Sequence, residues 1–570
     1  MLVAGFVGLL GGFGAVGFRF LIEFFQGLFF GGGGNLLEVA RSLPWLHKLL
    51  APALGGLIIG PIIYFFAREA KGHGVPEVME AVALREGRIR PRVVAIKSIA
   101  SSICIGSGGS VGREGPIVQI GSAIGSVVGQ ILKLSGERIK ILVGCGAAAG
   151  IAATFNAPLA GAMFSSELIL KNFQIRTFSP IILSSILATV VSRLFFGNQP
   201  VFAIPIPDYS LVSLWEILPY TVLGCLAALV SLAFIFILYK SEDIFDKLRF
   251  PGYLKASIGG VIIGLIGIYY PHIFGVGYGS IELALEEGIV WYFLLLLIVL
   301  KLVAVSITIG SGGSGGVFAP SLFLGSMMGG LFGIAVHSLF PAVTASSGSY
   351  ALVGMAAVVA GTTHAPITAI LILFEMTNDY NIFLPLIVAS ATSALLAIRL
   401  KRESIYTMKL IRRGIDLQMG TEVSIMRSLR VKDVMEMDID TIYRDMPLGE
   451  IRKLLLRSRS TFFPVIDRSG KLTGVISFGD LRSALFEEEL EKVIIAEDLA
   501  IPHPVTVFPS DNLYDALHKM HLHDIARLPV VSRFEPDKLI GVLSRSDVLA
   551  AYDNEITKLR GVFGENPPSH

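Results

Sequence analysis

A carboxylate and a guanidinium, Glu114 and Arg113, stand within Ile105-Gly-Ser-Gly-Gly-Ser-Val-Gly-Arg-Glu-Gly-Pro-Ile117, a glycine-rich break in an apolar region. An ionisable group at membrane depth is costly and is a functional residue by default. Glycines let backbone approach a ligand closely. Pro116, followed by an apolar run, reads as the first turn of a helix. A helix start offers free N–H groups and the positive end of a dipole, which suits an anion. The chemistry on offer is anion binding inside a membrane, with one carboxylate beside the anion. The competing structural reading is a glycine-rich membrane loop in which Glu114 is salt-bridged to Arg113.

The elements that must position this site are duplicated. Ile309-Gly-Ser-Gly-Gly-Ser-Gly-Gly-Val-Phe-Ala-Pro320 matches Ile105 to Pro116 at an offset of 204 (309 minus 105), and Lys97/Lys301 and Gly121-Ser122/Gly325-Ser326 keep that offset. Gly146-Ala-Ala-Ala149, Asn156-Ala-Pro158 and Glu167 match Gly354-Met-Ala-Ala357, His364-Ala-Pro366 and Glu375 at an offset of 208 (354 minus 146). Hydrophobic segments interrupted by glycine and proline at corresponding places in two halves point to a midplane transport site. Phe318 stands where Glu114 stands in the other half, so the carboxylate departs from the shared scaffold. Lys71-Gly-His-Gly-Val-Pro-Glu77 is a further glycine-proline helix start.

With 570 residues, 53% hydrophobic and 16% charged, and a mean hydropathy of +0.69, the chain reads as an integral membrane protein. The net charge of +2 is uninformative, but charges are sparse before residue 400 and dense after it, so a soluble tail follows the membrane domain. Ile139 to Leu170 and Ala351 to Met376 read as single long apolar segments. Several others are too short or too broken to cross with about 20 residues, as expected of half-spanning helices. Arg19 and Glu23, four apart, read as a helix pair. Arg399, Lys401, Arg402, Lys409, Arg412 and Arg413 place the tail on the cytoplasmic side. Cys104, Cys145 and Cys225 lie in apolar segments and read as packing residues. The chain enters an apolar run at once, without a cleavable signal pattern. No metal cluster, nucleophile–base arrangement or redox pair suggests an enzyme, and His521 and His523 read as surface residues.

The tail is a second duplication. Phe463-Pro-Val-Ile466 followed by Gly474-Val-Ile-Ser-Phe-Gly-Asp480 recurs as Leu528-Pro-Val-Val531 followed by Gly541-Val-Leu-Ser-Arg-Ser-Asp547. Each unit reads as strand, turn, strand, helix, with Asp480 and Asp547 at helix starts where they would cap. The expected division is a membrane domain over 1–410, with halves of roughly 1–200 and 210–410. A linker over 411–430, tail units over 431–492 and 493–556, and a terminal segment over 557–570 follow.

The glycine-proline helix starts, the duplicated core and the tail closely resemble the CLC family of chloride channels and chloride/proton exchangers, and the tail resembles a tandem CBS-domain pair. The resemblance implies an all-α polytopic membrane domain built from two inverted structural repeats with re-entrant half-helices, followed by an α+β/α/β CBS pair. Gly112-Arg-Glu-Gly-Pro116 resembles the family's gating-glutamate motif, and Gly316-Val-Phe-Ala-Pro320 its third motif. Tyr406 falls at the place of the anion-coordinating tyrosine. By that resemblance the N–H groups of Val317 and Phe318 and the Tyr406 hydroxyl would hold the anion, with His73, Gly74, Gly112, Arg113, Gly115, Gly316 and Ala319 around it. Glu114 would occupy an outer anion position until protonated or displaced, so transport should rise as external pH falls.

Two positions depart from the family. His73 replaces a serine; its imidazole either donates to the anion or turns away to a carbonyl. Members with proline there favour nitrate, whereas retention of Pro116 argues against fluoride. Leu168 falls at the exchangers' internal proton-relaying glutamate, with Glu167 just before it, about 100° away on a helix. A hydrophobic residue there is typical of the channels, yet some exchangers work without the glutamate. The reading leans to H⁺/Cl⁻ exchange, the commoner form in compact bacterial-style chains, with a passive channel as the alternative. From another class, the chain would be a membrane-anchored nucleotide sensor with an inactive transport half. The resemblance further implies a homodimer in a bacterial inner membrane, with chloride, protons and lipid as partners, no nucleic acid and no required cofactor. An adenine nucleotide at the CBS pair would be held by Asp480 and Asp547; alternatively both only cap, and the pair is a dimer platform. No Walker-type loop is present.

Overall fold

Apolar runs set the lengths of the helices, and glycine, proline and left-handed residues set their ends. The computed structural model describes residues 1–32, 35–66, 71–198, 212–377, 379–415, 426–458, 460–481, 493–535 and 537–561, with the backbone alone over 556–561. Parts of the expected linker (416–425), of the first tail unit (482–492) and of the terminal segment (562–570) lie outside the described residues. The chain folds as two units, Met1–Lys409 and Leu410–His570.

The first half of the membrane unit contains α1 (Leu2–Phe30), α2 (Leu36–Ser42), α3 (Trp45–Pro61), α4 (Val75–Leu84), α5 (Arg92–Gly106), α6 (Glu114–Ile131), α7 (Gly136–Phe155), α8 (Pro158–Phe164) and α9 (Ile175–Phe196). The second half contains α10 (Ile217–Lys247), α11 (Lys255–Tyr269), α12 (Tyr278–Leu285), α13 (Trp291–Gly310), α14 (Phe318–Leu339), α15 (Ser347–Thr363), α16 (Pro366–Thr377) and α17 (Phe383–Leu400); α18 (Thr407–Arg412) follows. Among the described residues, eight helical segments are long and apolar enough to cross a membrane. This is a multi-pass integral membrane protein.

The halves pack alike: α6 lies on α7 as α14 lies on α15, and α7 lies on α9 as α15 lies on α17. The repeated glycines explain the first contact. A Cβ on Gly121 would fall 2.1 Å from the Gly146 carbonyl oxygen, and one on Gly325 2.3 Å from that of Gly354. Small residues let membrane helices touch backbone to backbone, where side-chain burial gives little drive.

The two long segments expected as single runs are each broken in two. Asn156 (φ 56°) ends α7 and His364 (φ 59°) ends α15, both in the left-handed region, and Pro158 and Pro366 then open α8 and α16. Asn is one of the few non-glycine residues that adopts this conformation readily. The 7-residue α8 and 12-residue α16 rise about 10 Å and 18 Å, well short of a crossing. A π-helical turn, Ser165–Ile169, follows α8.

In the tail unit, β1 (Ile442–Tyr443), β2 (Phe462–Ile466), β3 (Leu472–Ser477) and β4 (Ile501–Pro502) form one sheet in that order. β5 (Arg527–Val531) and β6 (Leu539–Ser544) form another. The β2–β3 and β5–β6 hairpins are antiparallel, with matching register shifts at Val465/Ile466 and Val530/Val531. Packing does not follow the division at 492/493. Val431 lies in the core with Leu528 and Leu543, and Ala496 lies in the core with Phe463 and Ile476. The segment opening each unit is buried with the other. His521 and His523 are exposed.

Candidate functional site

Three glycine-rich loops meet in the membrane unit. The Gly112 N–H donates to the Gly316 carbonyl at 2.8 Å, and the Gly316 N–H donates back to Gly112 at 2.6 Å. The two copies of the duplicated motif therefore pair with each other. The third loop joins them as the Gly72 N–H donates to the Gly313 carbonyl at 3.1 Å. A Cβ on Gly115 would fall 2.0 Å from the His73 carbonyl oxygen and 3.0 Å from the Gly316 Cα. The residues at 115 and 316 are glycines because three backbones share that space.

This convergence aims helix starts inward. α4 begins after Gly74 (φ 84°), α6 at Glu114 and α14 at Phe318. The first N–H groups of each helix lack intrahelical acceptors. Glu114, 1% exposed, crosses from one half to the other. Its Oε2 accepts the Ala319 N–H of α14 at 3.3 Å, and its Oε1 accepts the Tyr278 hydroxyl at 3.1 Å. A carboxylate thus sits where a helix start offers its dipole to an anion. Arg113 goes elsewhere: its guanidinium carbon lies 5.4 Å from the Tyr278 ring centroid, and Nη2 reaches the Thr154 carbonyl at 3.5 Å.

His73 and Tyr406 are fully buried, their rings 6.0 Å apart. The Tyr406 segment is tied down as the Ile405 N–H donates to the Thr362 carbonyl at 2.9 Å. His73 Nε2 lies 3.5 Å from the Tyr239 hydroxyl, which itself donates to the Ile405 carbonyl at 2.6 Å. The Phe318 ring packs on Phe155, centroids 5.6 Å apart.

The repeat lysines hold the loops before α4 and α12. Lys97 Nζ donates to the Gly72 carbonyl at 2.8 Å; Lys301 Nζ donates to the Ile273 and Gly275 carbonyls at 3.1 and 3.0 Å. This exposes a further repeat. Gly72-His-Gly-Val75 matches Gly275-Val-Gly-Tyr278 at an offset of 203 (275 minus 72), both loops carrying left-handed glycines. Sequence reasoning missed Tyr278, and that offset was the signal that could have found its position.

Glu167 lies apart from this cluster. Its carboxylate caps α16, accepting the Ile367 N–H at 3.3 Å, the Thr368 N–H at 2.8 Å and the Thr368 hydroxyl at 2.6 Å. Glu375 returns the arrangement by accepting the Leu159 and Ala160 N–H groups of α8 at 3.1 and 2.7 Å. Leu168, beside it, is buried at 5% exposure. In the tail unit, Asp480 Oδ2 accepts the Ser477 N–H at 2.8 Å and its hydroxyl at 2.6 Å, and Asp547 Oδ2 accepts the same two groups of Ser544.

Residues 55–397 match the family model described as voltage gated chloride channel. The chain belongs to this family, the CLC proteins. Residues 431–487 and 496–554 each match the CBS domain. Among CLC relatives, the chain is 36% identical over 414 residues to a ClcB-like chloride channel protein of Ralstonia nicotianae, covering 72% of this chain and 96% of that one. It is 35% identical over 387 residues to the H(+)/Cl(-) exchange transporter ClcA of Vibrio cholerae, covering 66% and 81%. The crystal structure of a slow cyanobacterial Cl-/H+ antiporter superposes with a TM-score of 0.66 at 28% identity, covering 72% of this chain and 97% of that one.

Proposed function

We propose that this CLC protein carries chloride across the membrane in exchange for protons, with Glu114 as the gate. The observation that carries the reading is the Glu114 carboxylate on the Ala319 N–H. Chloride and the carboxylate compete for one helix start, and only the carboxylate loses its charge on taking up a proton. A proton arriving from outside therefore releases the gate, and an anion takes its place. The path would be lined by the N–H groups opening α4, α6 and α14, with the Tyr406 hydroxyl and the His73 imidazole as side-chain donors. His73 in place of the family's serine leaves chloride as the lead anion. Two such chains would form a homodimer with one path each, in a bacterial inner membrane. The basic cluster from Arg399 to Arg413 supports a cytoplasmic CBS pair.

Leu168 favours a second reading, a passive chloride channel, because no carboxylate occupies the internal proton position. The two separate in liposomes holding the purified protein, with chloride efflux and proton movement recorded together under a chloride gradient. Chloride that draws protons uphill establishes exchange; chloride moving alone establishes a channel. Glu114→Gln should flatten the pH dependence and abolish coupling. Unaltered pH dependence in that variant would remove Glu114 from the gate.

We read the CBS pair as the regulatory module, with an adenine nucleotide as its ligand. Each aspartate cap uses Oδ2, and Oδ1 retains lone pairs for ribose hydroxyls, so the residues fit the group. Asp480 and Asp547 would hold the ribose; loss of nucleotide binding in Asp480→Asn or Asp547→Asn, with the fold retained, tests this.

A further inference from the structure

We propose that Tyr278 is the positioning residue of the gate: its hydroxyl, supplied by the opposite half of the membrane unit, latches the ionised Glu114 in the anion site. The proposal rests on Glu114 being the gate. The latch is built from two departures from the duplicated scaffold. Glu114 stands where the repeat has Phe318, and Tyr278 stands where the repeat has Val75 (278 minus 203). These two polar replacements meet at 3.1 Å. The Tyr278 post is fixed. Gly277 (φ 91°) turns the chain into α12, and Lys301 ties the preceding loop through the Ile273 and Gly275 carbonyls.

Tyr278 also separates the gate from a pocket of about 320 Å³, whose wall it shares with Arg113, Arg19, Glu23 and Glu282. Glu114 lies behind it, buried. The charged and titratable groups around the pair are those four, His272 on the same pocket wall, Lys301 of α13, whose Nζ lies 3.2 Å from a Cβ position on Gly277, and Tyr406. A phenol O–H donates to a carboxylate and contributes more when the acceptor is ionised. The latch therefore favours the closed, ionised gate over the protonated, released one. A hydrogen bond to a charged group corresponds to about a tenfold change in such an equilibrium.

Tyr278→Phe keeps the ring under Arg113 and removes the hydroxyl that donates to Glu114. Chloride flux from liposomes, measured across a pH series, should show its midpoint moved about one unit toward alkaline pH, and flux at neutral pH raised up to about tenfold. The H⁺/Cl⁻ ratio of the parent protein should persist. In the Glu114→Gln background the same substitution should change flux less than twofold. A folded Tyr278→Phe protein with the parent midpoint overturns the latch, as does an equal effect of Tyr278→Phe in the Glu114→Gln background. If Glu114→Gln leaves the pH profile intact, the gate reading itself falls and the latch with it. A flattened profile in Glu114→Gln beside an unmoved midpoint in Tyr278→Phe removes the latch alone.

Discussion

Glu167→Gln separates a scaffold role from a proton role at the position adjoining Leu168. The carboxylate faces three donors on α16: two backbone N–H groups and the Thr368 hydroxyl. A glutamine offers one acceptor oxygen, and its amide nitrogen can only donate. The hydroxyl can rotate to another acceptor, but at least one backbone N–H loses its partner in a partly buried place. That costs about 1–3 kcal/mol, and losing the negative charge at a helix start removes about 0.3–1 kcal/mol more. A total near 2 kcal/mol lowers Tm by about 4 °C or somewhat less in a unit of this size. Glu375→Gln should cost a similar amount through the Leu159 and Ala160 N–H groups. The assay is thermal unfolding in detergent, with paired chloride and proton fluxes from the same preparations. The expected result is a lowered Tm in both variants and a parental H⁺/Cl⁻ ratio in each. An unchanged Tm with coupling lost in Glu167→Gln would refute the reasoning, because the carboxylate would then be relaying protons instead of holding α16.

The buried lysines should behave as loop anchors. Lys97→Met leaves the Gly72 carbonyl with the Gly315 N–H at 3.4 Å, whereas Lys301→Met strands two carbonyls, so the second should destabilise more, each stranded carbonyl costing about 1–3 kcal/mol by thermal unfolding; equal losses, or a negligible loss in Lys301→Met, would contradict this. In the tail unit, the Arg468 guanidinium holds the Asp445 carboxyl below the usual carboxylate range, and the Ser469 hydroxyl and Lys471 N–H do the same for Asp467. Lowered folded values mean that their contribution is present above the unfolded value of about 3.9 and is lost as pH falls through the folded values. Asp445→Asn and Asp467→Asn should therefore weaken the tail at pH 6 and lessen its further loss of stability on acidification, as followed by unfolding at a series of pH values.

The duplication made much of the membrane unit legible, because a structural motif repeated at fixed offset marks places where the backbone does something a regular helix cannot. Gly121/Gly325 and Gly146/Gly354 were visible as such pairs, and their reason is backbone contact between helices. Asn156-Ala-Pro158 and His364-Ala-Pro366 were visible too, yet the breaks they impose were not, since hydropathy runs unbroken across a left-handed cap. The carboxylate caps Glu167 and Glu375 could be paired by offset, but their exchange between α8 and α16 is a contact across roughly 200 residues, beyond the reach of any local pattern. Tyr278 was hidden for a different reason. Reading for repeats favours what the halves share, whereas the Glu114–Tyr278 contact joins two positions at which the halves differ. Glu114 drew attention because a carboxylate in an apolar run is conspicuous; a tyrosine in the same surroundings is not. The positions where a duplicated scaffold becomes polar in one half only, and whose partners lie in the other half, are where the two-fold arrangement acquires a direction.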